Sequence, residues 1–432
     1  MPEDDQVSGV HFPKGFLWGA SLSGHQTEGG NHDQWTVWEL GHAAELARDA
    51  EKRLSHLPSW DRIKKQATSP DNYVSGRGID HFKRYKDDFK LAKKLNLNSL
   101  RFTIEWSRIE PTEGVWDEAA VRHYQDYIHE LKAQGIEPVL NLWHWTMPVW
   151  FTEKGAFKYR RNLKYFTRFV HKIGADYAGE LKWVLTLNEP NVYTTFGYLV
   201  KEPTSINWPP GETNLISFCR VYWNLIAAHK KAYKILKAAN PNLKISLATQ
   251  LANIQAKRPH NELDEFTTRF MRYTWNWFFL RRVRKQMDFV GFNYYFTDYY
   301  TEVGKRKDPQ VPLSDMGWYM EPEGLYPLLL SVNRHQKGKP IMVTENGVAD
   351  SEDEYRRWWL EETLIALEKA ASEGVKIVGY FHWSLLDNFE WENGWWPKFG
   401  LVEVDRAHGM ERRIRPSAKW YAERIAKLST SK

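Results

Sequence analysis

The chain has 432 residues, 42% of them hydrophobic, and its 60 basic residues nearly balance 54 acidic residues, which leaves a net charge of +6. Because no run of 18 apolar residues occurs and the charges are mixed along helix-like segments, we expect neither a membrane nor a nucleic acid as a partner. The only cysteine, Cys219, excludes an intrachain disulfide, and with no Asn-x-Ser/Thr sequon and no apolar leader we expect a cytoplasmic protein.

Short apolar or β-branched runs alternate with longer amphipathic stretches along the chain. The runs predict strands at 16–21, 99–106, 137–144, 182–189, 244–249, 288–295, 340–347 and 377–384. The amphipathic stretches predict helices at 80–96, 118–134, 162–178, 214–239, 323–335 and 353–373, and a last helix from Ser417 to about Leu428. The charged stretch at 41–75 is predicted to be an elaborated loop with a helix in ARDAEKRL.

Eight strands that alternate with helices favour an α/β protein whose parallel sheet closes into a (β/α)8 TIM barrel with elaborated strand-to-helix loops. The predicted strands are nearly continuous apolar runs, as expected when both faces of a sheet are covered. No linker rich in Ser, Gly or Pro and no internal repeat divides the chain. We therefore expect residues 1–432 to form one barrel domain.

Polar residues accumulate at the carboxyl ends of the predicted strands, where the active site of such a barrel forms. These residues are Arg101 in the second strand, His144 in the third, Asn188 and Glu189 in the fourth, Asn293 and Tyr295 in the sixth, Glu345 and Asn346 in the seventh, and Trp383, Asp387 and Asn388 in and after the eighth. Ionisable groups at the inner end of a barrel need partners or a function.

Two carboxylates among them, Glu189 in LTLNEP and Glu345 in MVTENG, come from separate strands that converge on one pocket. Glycoside hydrolysis needs such a pair, because one group protonates the departing oxygen while the other attacks the anomeric carbon. Burial and the second carboxylate would raise the pKa of the proton donor. Arg101, if it reaches Glu345, would hold that residue ionised.

Two other interpretations stay open at this point. Each glutamate alone could form a buried ion pair with a barrel arginine or lysine. His144, Glu189 and Glu345 could in principle bind a metal, but neither an HExxH motif nor paired histidines support this. We expect no metal and no cofactor.

FLWGASLSGHQTEGG at 16–30 and IMVTENGVA at 341–349 resemble the two signature segments of glycoside hydrolase family 1, the β-glucosidase family. LTLNEP, DFVGFNYY, GYFHWSLLDNFEW and KFGLVEVD follow in the family's order and at its spacings. The resemblance covers about residues 11 to 425, and the motifs together are highly specific. It implies a retaining glycosidase that forms a covalent glycosyl-enzyme intermediate.

The resemblance also implies roles for individual residues. Glu189 corresponds to the general acid/base and Glu345 to the nucleophile, with Arg101, Tyr295 and Asn293 supporting them. The residues implied in substrate binding are Gln26, His144, Trp145, Asn188, Glu390 and Trp391 around the sugar, Trp383 beneath its ring, Phe399 at the far wall, and Trp318 on the side of the leaving group.

Several positions narrow the expected substrate. Glu390 would repel the phosphate of a 6-phosphorylated sugar, and Glu189 is the residue that the thioglucosidase branch lacks. We therefore expect an exo-acting β-D-glucosidase with side activity on β-galactosides and β-fucosides, whose partners are small β-glycosides and oligosaccharides. The alternatives are a transglycosidase, in which Asn191 helps to order an acceptor sugar, and a non-catalytic sugar-binding barrel.

Overall fold

The computed structural model describes residues 12–199, 207–306 and 309–430, and in it eight parallel strands close into a barrel. From first to eighth the barrel strands are Leu17–Ser21, Ser99–Thr103, Glu137–Asn141, Trp183–Asn188, Lys244–Gln250, Val290–Tyr294, Ile341–Asn346 and Ile377–Trp383. The barrel closes where the first strand pairs with the eighth, from Leu17 opposite Gly379 to Ser21 opposite Trp383. The predicted (β/α)8 fold is confirmed.

Helices surround the barrel and fill its long connections. The α-helices are Gly24–Thr27, Gln34–Arg48, Ala50–Leu54, Trp60–Ala67, His81–Lys94, Trp106–Ile109, Glu118–Ala133, Val149–Glu153, Leu163–Tyr177, Pro190–Tyr198, Leu215–Ala239, Glu262–Met271, Phe278–Val283, Leu325–His335, Arg356–Ser372 and Pro416–Thr430. Short 3-10 helices are Pro70–Tyr73, Ala156–Lys158, Arg160–Asn162, Arg284–Gln286, Pro322–Gly324 and Trp391–Asn393, and Arg272–Trp277 is a π-helix. In the described part of the chain, no helix combines the length and apolarity needed to cross a bilayer.

Two small sheets lie outside the barrel. One contains Asn253–Ala256, Thr297–Thr301 and Gly304–Arg306, and the other is the hairpin of Val402–Asp405 with Glu411–Ile414. Both belong to connections that extend beyond the carboxyl ends of barrel strands. They give these loops a backbone framework of their own.

The predicted helices agree with the structure to within about three residues at each end. The prediction for residues 41–75 was wrong, because this stretch is mostly helical rather than a loop with one helix. Its helix Gln34–Arg48 begins at Asp33, whose side chain accepts a hydrogen bond from the backbone NH of Thr36. Apolar residues of this stretch, namely Ala50, Leu54, Ile63 and Ala67, also form a buried cluster with Trp396.

The helical segment between the fifth and sixth barrel strands was not predicted. Its first part, Glu262–Met271, begins at Asn261, which accepts a hydrogen bond from the backbone NH of Asp264. The segment is rich in aromatic and threonine residues, which have modest helix propensity. Several of its apolar side chains also face solvent rather than the core, so the usual pattern of a buried helix face is obscured.

The lower half of the barrel is closed by packed apolar side chains. Leu17, Val139, Leu185, Ala248, Phe289, Met342 and Phe381 form this cluster. Gly19 leaves room for one of them, because a Cβ atom there would lie 2.4 Å from the Phe381 ring. The filled barrel leaves space for a site only at the carboxyl ends of the strands.

An ion pair anchors the loop that follows the eighth barrel strand. Asp387 accepts hydrogen bonds from Arg415 Nη1 and Nη2 at 3.0 and 2.9 Å and from the backbone NH of Gly400 at 2.9 Å. Burial opposes ionisation, but Arg415 and Lys398 lower the pKa of Asp387 below its ordinary value. The pair therefore holds the chain just before Glu390, one of the predicted site residues.

We predict that Asp387→Ala lowers the free energy of unfolding by about 3–5 kcal/mol at neutral pH, because it leaves Arg415 buried without its counter-charge. Since folding depresses the pKa of Asp387, its contribution is present above pH about 4 and is lost as the pH falls further. Urea unfolding followed by tryptophan fluorescence measures both effects.

Asp61→Ala is the matched control, because Asp61 pairs with Lys64 at an exposed position. It is expected to cost less than about 1 kcal/mol. Similar losses for the two variants would show that the Asp387–Arg415 pair is not a structural anchor.

Candidate active site

The carboxyl ends of the barrel strands open into a cavity of about 650 Å3. The predicted site residues that line it are His144, Trp145, Glu189, Tyr295, Trp318, Glu345, Trp383, Glu390, Trp391 and Phe399. The other predicted site residues, Gln26, Arg101, Asn188 and Asn293, are buried and hydrogen-bonded to residues of this lining. The structure thus brings all of them together.

Glu189 follows the fourth barrel strand and lies directly before helix Pro190–Tyr198, with a left-handed backbone (φ +40°). Its backbone NH donates to the carbonyl of Ala248 at 2.8 Å, which ties this turn to the fifth strand. The side-chain carboxyl accepts a hydrogen bond from Asn293 Nδ2 at 2.8 Å. A left-handed conformation is unfavourable for a residue with a Cβ atom and is typical of functional sites.

Burial, and then the negative charge of Glu345, raise the pKa of Glu189 to about 8, although Asn293 and Arg101 oppose the shift. At neutral pH the carboxyl group is therefore mostly protonated. A protonated carboxyl group at this position can donate a proton into the cavity.

Glu345, near the end of the seventh barrel strand, has hydrogen-bond donors on both carboxylate oxygens. Arg101 Nη1 donates to Oε1, and the Tyr295 hydroxyl donates to Oε2 at 2.6 Å. The first of these contacts is the one expected from the sequence. Burial, together with the charges of Glu345 and Glu189, raises the pKa of Tyr295 well above its ordinary value, so the phenol keeps its proton. Two donors and one positive charge stabilise the ionised form of Glu345.

A continuous set of hydrogen bonds connects the two carboxyl groups. Arg101 Nη2 donates to Asn188 Oδ1 at 2.7 Å, and Asn293 Nδ2 donates to the same oxygen at 3.2 Å and to Glu189. Four different strands contribute these side chains. The relative position of Glu189 and Glu345 is therefore fixed by the barrel and not by a loop alone.

His144 is neutral in this setting. Burial, followed by the positive charges of Arg101 and His25, lowers its pKa well below the ordinary value. Its Nε2 accepts from Asn188 Nδ2 at 3.0 Å, which leaves the proton on Nδ1. Nδ1 has no hydrogen-bond partner within the described residues, so the imidazole can donate to a hydroxyl in the cavity.

Gln26 and Glu390 form a second polar group at the cavity. Gln26 Nε2 donates to the Phe389 carbonyl at 2.7 Å and to Glu390 Oε2 at 3.4 Å, and Ser23 donates to Gln26 Oε1 at 2.7 Å. Burial, and then the neighbouring Glu392 and Glu345, raise the pKa of Glu390 well above its ordinary value. Amide and carboxyl groups placed side by side can bind adjacent hydroxyls of a sugar.

Aromatic rings form most of the remaining walls. Trp145 and Trp391 pack with ring centroids 4.7 Å apart, and the Trp145 indole NH donates to the carbonyl of Asn188 at 3.0 Å. On the other side Trp318 lies 5.6 Å from Tyr295 and 6.0 Å from Phe399. Flat apolar rings near polar groups suit the C–H faces and hydroxyl edges of a pyranose.

The sequence analysis missed Gln250, which lines the cavity at the end of the fifth barrel strand. Its Oε1 accepts from the indole NH of Trp275. Its position at a strand end could have identified it, because no polar residue had been assigned to the end of the fifth strand. Apolar residues of the lining were also missed, namely Val192, Phe196, Ile254, Met271 and Trp275.

Asn191 does not line the cavity. Its amide donates to the carbonyl of Gln250 at 2.8 Å and accepts from the Thr249 hydroxyl at 3.2 Å. The acceptor-ordering role considered for Asn191 therefore has no basis in its contacts. In the ranges that the structure describes, no group of three or more His, Cys, Asp or Glu side chains is arranged to hold a metal ion.

Another protonatable carboxyl lies outside the cavity lining. Burial, and then Asp33 and Glu28, raise the pKa of Glu105 to about 8. Its oxygens accept from the backbone NH of His25 at 2.9 Å and from the Thr146 hydroxyl at 2.7 Å. A raised pKa alone therefore does not identify the reacting residue. The position of Glu189 at the cavity distinguishes it from Glu105.

A parallel eight-stranded barrel with one protonated and one arginine-paired carboxyl group at its open end has the groups that glycoside hydrolysis requires. The sequence profile of Glycosyl hydrolase family 1 matches residues 9–284 and 279–429. The chain belongs to this family and is a β-glycosidase, which excludes the non-catalytic alternative.

Three relatives illustrate the similarity. Beta-glucosidase A of Acetivibrio thermocellus is 28% identical, covering 97% of this chain and 99% of its own. The beta-glycosidase from Pyrococcus horikoshii has a TM-score of 0.83 and 31% identity, covering 98% of this chain and 96% of its own. The beta-glucosidase from Thermotoga maritima in complex with glucoimidazole has a TM-score of 0.83 and 26% identity, covering 98% of this chain and 100% of its own.

We predict that Glu345→Gln lowers the pKa of Glu189 from about 8 toward the ordinary glutamate value, because a nearby negative charge is removed. Carboxyl 13C NMR titration of the glutamate-labelled protein measures this shift. Glu189→Gln and Glu105→Gln each remove one signal and so identify the transitions of these two groups, which separates them from the raised transition of Glu390.

Glu105→Gln is also the control, because Glu105 does not line the cavity. It is expected to leave the titration of Glu189 in place. A Glu189 signal that does not respond to Glu345→Gln would mean that the two carboxyl groups are not electrostatically coupled.

Proposed function

We propose that this protein is a retaining exo-β-D-glucosidase in which Glu189 is the general acid/base and Glu345 is the nucleophile. The observation that supports this proposal is that two carboxyl groups at one cavity have surroundings that favour different protonation states. Burial and a like charge keep Glu189 protonated, while Arg101 and Tyr295 bind both oxygens of an ionised Glu345. A retaining mechanism needs these two states before the first step.

In the first step a Glu345 oxygen attacks the anomeric carbon as the bond from that carbon to the glycosidic oxygen breaks. Glu189 transfers its proton to the departing oxygen, so the aglycone leaves as an alcohol. The product is a glucosyl ester of Glu345. Positive charge that develops on the sugar ring is stabilised by the carboxylate.

In the second step water attacks the anomeric carbon from the side of Glu189. Glu189 is now ionised and removes a proton from the water, while the ester bond to Glu345 breaks. The free enzyme and β-D-glucose result, with both carboxyl groups back in their first states. Since Asn293 donates to Glu189, it holds the carboxyl in place during both steps.

For the sugar itself we propose contacts with Gln26, Glu390, His144 and Asn188, which present amide, carboxyl and imidazole groups around one end of the cavity. Trp383 supports the ring, Trp145 and Trp391 border it, Phe399 closes the far wall, and Trp318 borders the leaving group. The Thermotoga maritima beta-glucosidase, a similar structure, was solved in complex with glucoimidazole, which supports the proposal that the cavity binds a glucose-like ring. Glu390 disfavours 6-phosphorylated sugars, because a buried carboxyl group offers a phosphate no positive charge, and we expect side activity on β-galactosides and β-fucosides.

We propose hydrolysis in preference to transfer to a second sugar. For transfer, Asn191 and the aromatic rim of the cavity would have to order an acceptor sugar, but the amide of Asn191 is occupied by Gln250 and Thr249. The lining on the side of the leaving group is instead largely apolar, with Val192, Phe196 and Ile254 among its residues. We further propose that residues 1–432 form a single catalytic domain.

Glu189→Gln is expected to lower kcat/KM for cellobiose by about 10²–10⁴-fold, because the alcohol leaving group needs a proton. For 2,4-dinitrophenyl β-D-glucoside the loss in kcat/KM should stay within about tenfold, since this leaving group departs as an anion. Steady-state kinetics on both substrates gives the comparison.

Glu105→Gln serves as the matched control, because it replaces another carboxyl whose pKa is about 8 but which lies behind the cavity. Any loss it causes should be the same for both substrates. If Glu189→Gln also slowed the two substrates equally, the acid/base assignment would be wrong.

A retaining reaction releases β-D-glucose first, and the α-anomer appears only as the product mutarotates. Proton NMR of the anomeric signals during the first minutes of hydrolysis at high enzyme concentration should show this order. Release of α-D-glucose first would demonstrate inversion and would rule out a covalent intermediate on Glu345.

A further inference from the structure

An exposed apolar helix face lies beside the catalytic cavity. Leu263, Phe266 and Phe270 on helix Glu262–Met271 are 63%, 64% and 58% exposed, and Tyr273 follows on the π-helix at 38%. Spacings of three and four residues place these side chains on one side of the helix. We call these four residues the outer apolar face. Scattered exposed apolar residues are common on soluble proteins, but a contiguous stripe marks an interaction surface.

The outer apolar face continues onto a second helix. The Tyr273 ring lies 6.1 Å from the Phe278 ring, which in turn lies 5.8 Å from the ring of Trp223 on helix Leu215–Ala239. Trp223 is half-exposed, and Leu215 and Ile216 on its helix are 64% and 62% exposed. The apolar surface therefore extends across two neighbouring helices.

Arginine side chains border this surface. Arg281 lies 5.4 Å from the Tyr273 ring, and Arg282 lies 3.3 Å from the Phe278 ring and 4.9 Å from the Trp223 ring. Arg269 is exposed on the same helix as Phe266. Within the described residues none of these three guanidinium groups forms a salt bridge. The acidic residues in the first turn of helix Glu262–Met271 are Glu262, Asp264 and Glu265, and Asp264 pairs with Arg258. Aromatic rings mixed with arginine are typical of surfaces that contact lipid headgroups.

The same helical segment borders the catalytic cavity on its opposite side. Met271 and Trp275 line the cavity, and Asp264 and Thr268 are buried against the rest of the protein. The inner side of the segment thus forms part of the cavity wall. The outer side carries the exposed apolar residues.

We propose that the outer apolar face is a docking surface for an anionic lipid layer. Apolar side chains would enter the boundary between headgroups and acyl chains, and the arginines would contact anionic headgroups. A second copy of this chain fits less well, because a twofold interface would place the same arginines of both copies close together. The expectation that no membrane is a partner came from the lack of a spanning segment, and a surface-bound helix does not need one.

Docking would bring the cavity wall that contains Met271 and Trp275 close to the lipid surface. Under the proposed function, that arrangement favours β-glucosides whose apolar aglycones lie in the layer. This consequence rests on the proposed function, but lipid binding itself does not. The two can therefore fail separately.

The test is cosedimentation of the full-length protein with vesicles of phosphatidylcholine alone or mixed with phosphatidylglycerol. We expect the wild-type protein to bind the anionic vesicles. The affinity of the triple variant Leu263→Ser, Phe266→Ser, Phe270→Ser for these vesicles should be lower by at least about tenfold. Arg269→Gln with Arg281→Gln should remove the preference for anionic vesicles, and added salt should weaken binding by the wild type.

Val37→Ser with Leu40→Ser is the matched control, because these residues are 50% and 68% exposed on a different helix. It should bind vesicles like the wild type, and all variants should keep wild-type activity on soluble p-nitrophenyl β-D-glucoside. Absence of vesicle binding by the wild type, or equal binding by the triple variant, overturns the proposal. So does a wild-type dimer that the triple variant dissociates, because the face would then be a subunit interface.

Discussion

A buried guanidinium group at the centre of the barrel sets the conditions for the whole site. Arg101 is 0% exposed, and its two terminal nitrogens donate to Glu345 and Asn188. Burying a charge without a partner is very unfavourable, so the folded structure pairs Arg101 with Glu345. That fixed negative charge, with burial, then keeps the proton on Glu189. The Glu345 carboxylate of the Arg101–Glu345 ion pair thus adds to burial in raising the pKa of Glu189.

The barrel makes this ion pair possible because parallel strands deliver side chains to one end from several directions. Arg101 comes from the second strand and Glu345 from the seventh, which are not neighbours in the barrel. The long arginine side chain reaches across the interior above the apolar layer that contains Phe381. Asn293 of the sixth strand contacts Glu189, and Tyr295, just after that strand, contacts Glu345.

The sequence was informative wherever position in the fold determines the role of a residue. Strand ends of a barrel point to one site, so Arg101 and Glu345 could be predicted to lie close together without coordinates. Periodicity was less informative outside the barrel, where the stretch at 41–75 packs its apolar residues into a separate small cluster. The helix Glu262–Met271 escaped prediction because its apolar residues include exposed ones. The contacts of Asn191 depend on where its helix sits against Gln250, which no local pattern reveals.

The central claim is that Glu345 becomes covalently bonded to the sugar while Glu189 does not. The most direct measurement is mass spectrometry of peptides after reaction with 2,4-dinitrophenyl 2-deoxy-2-fluoro-β-D-glucoside, a substrate whose fluorine slows release of the glycosyl-enzyme. The account predicts time-dependent inactivation and a fluoroglucosyl group on the peptide that contains Glu345. A label on Glu189 or Glu390, or inactivation without any covalent label, would contradict it.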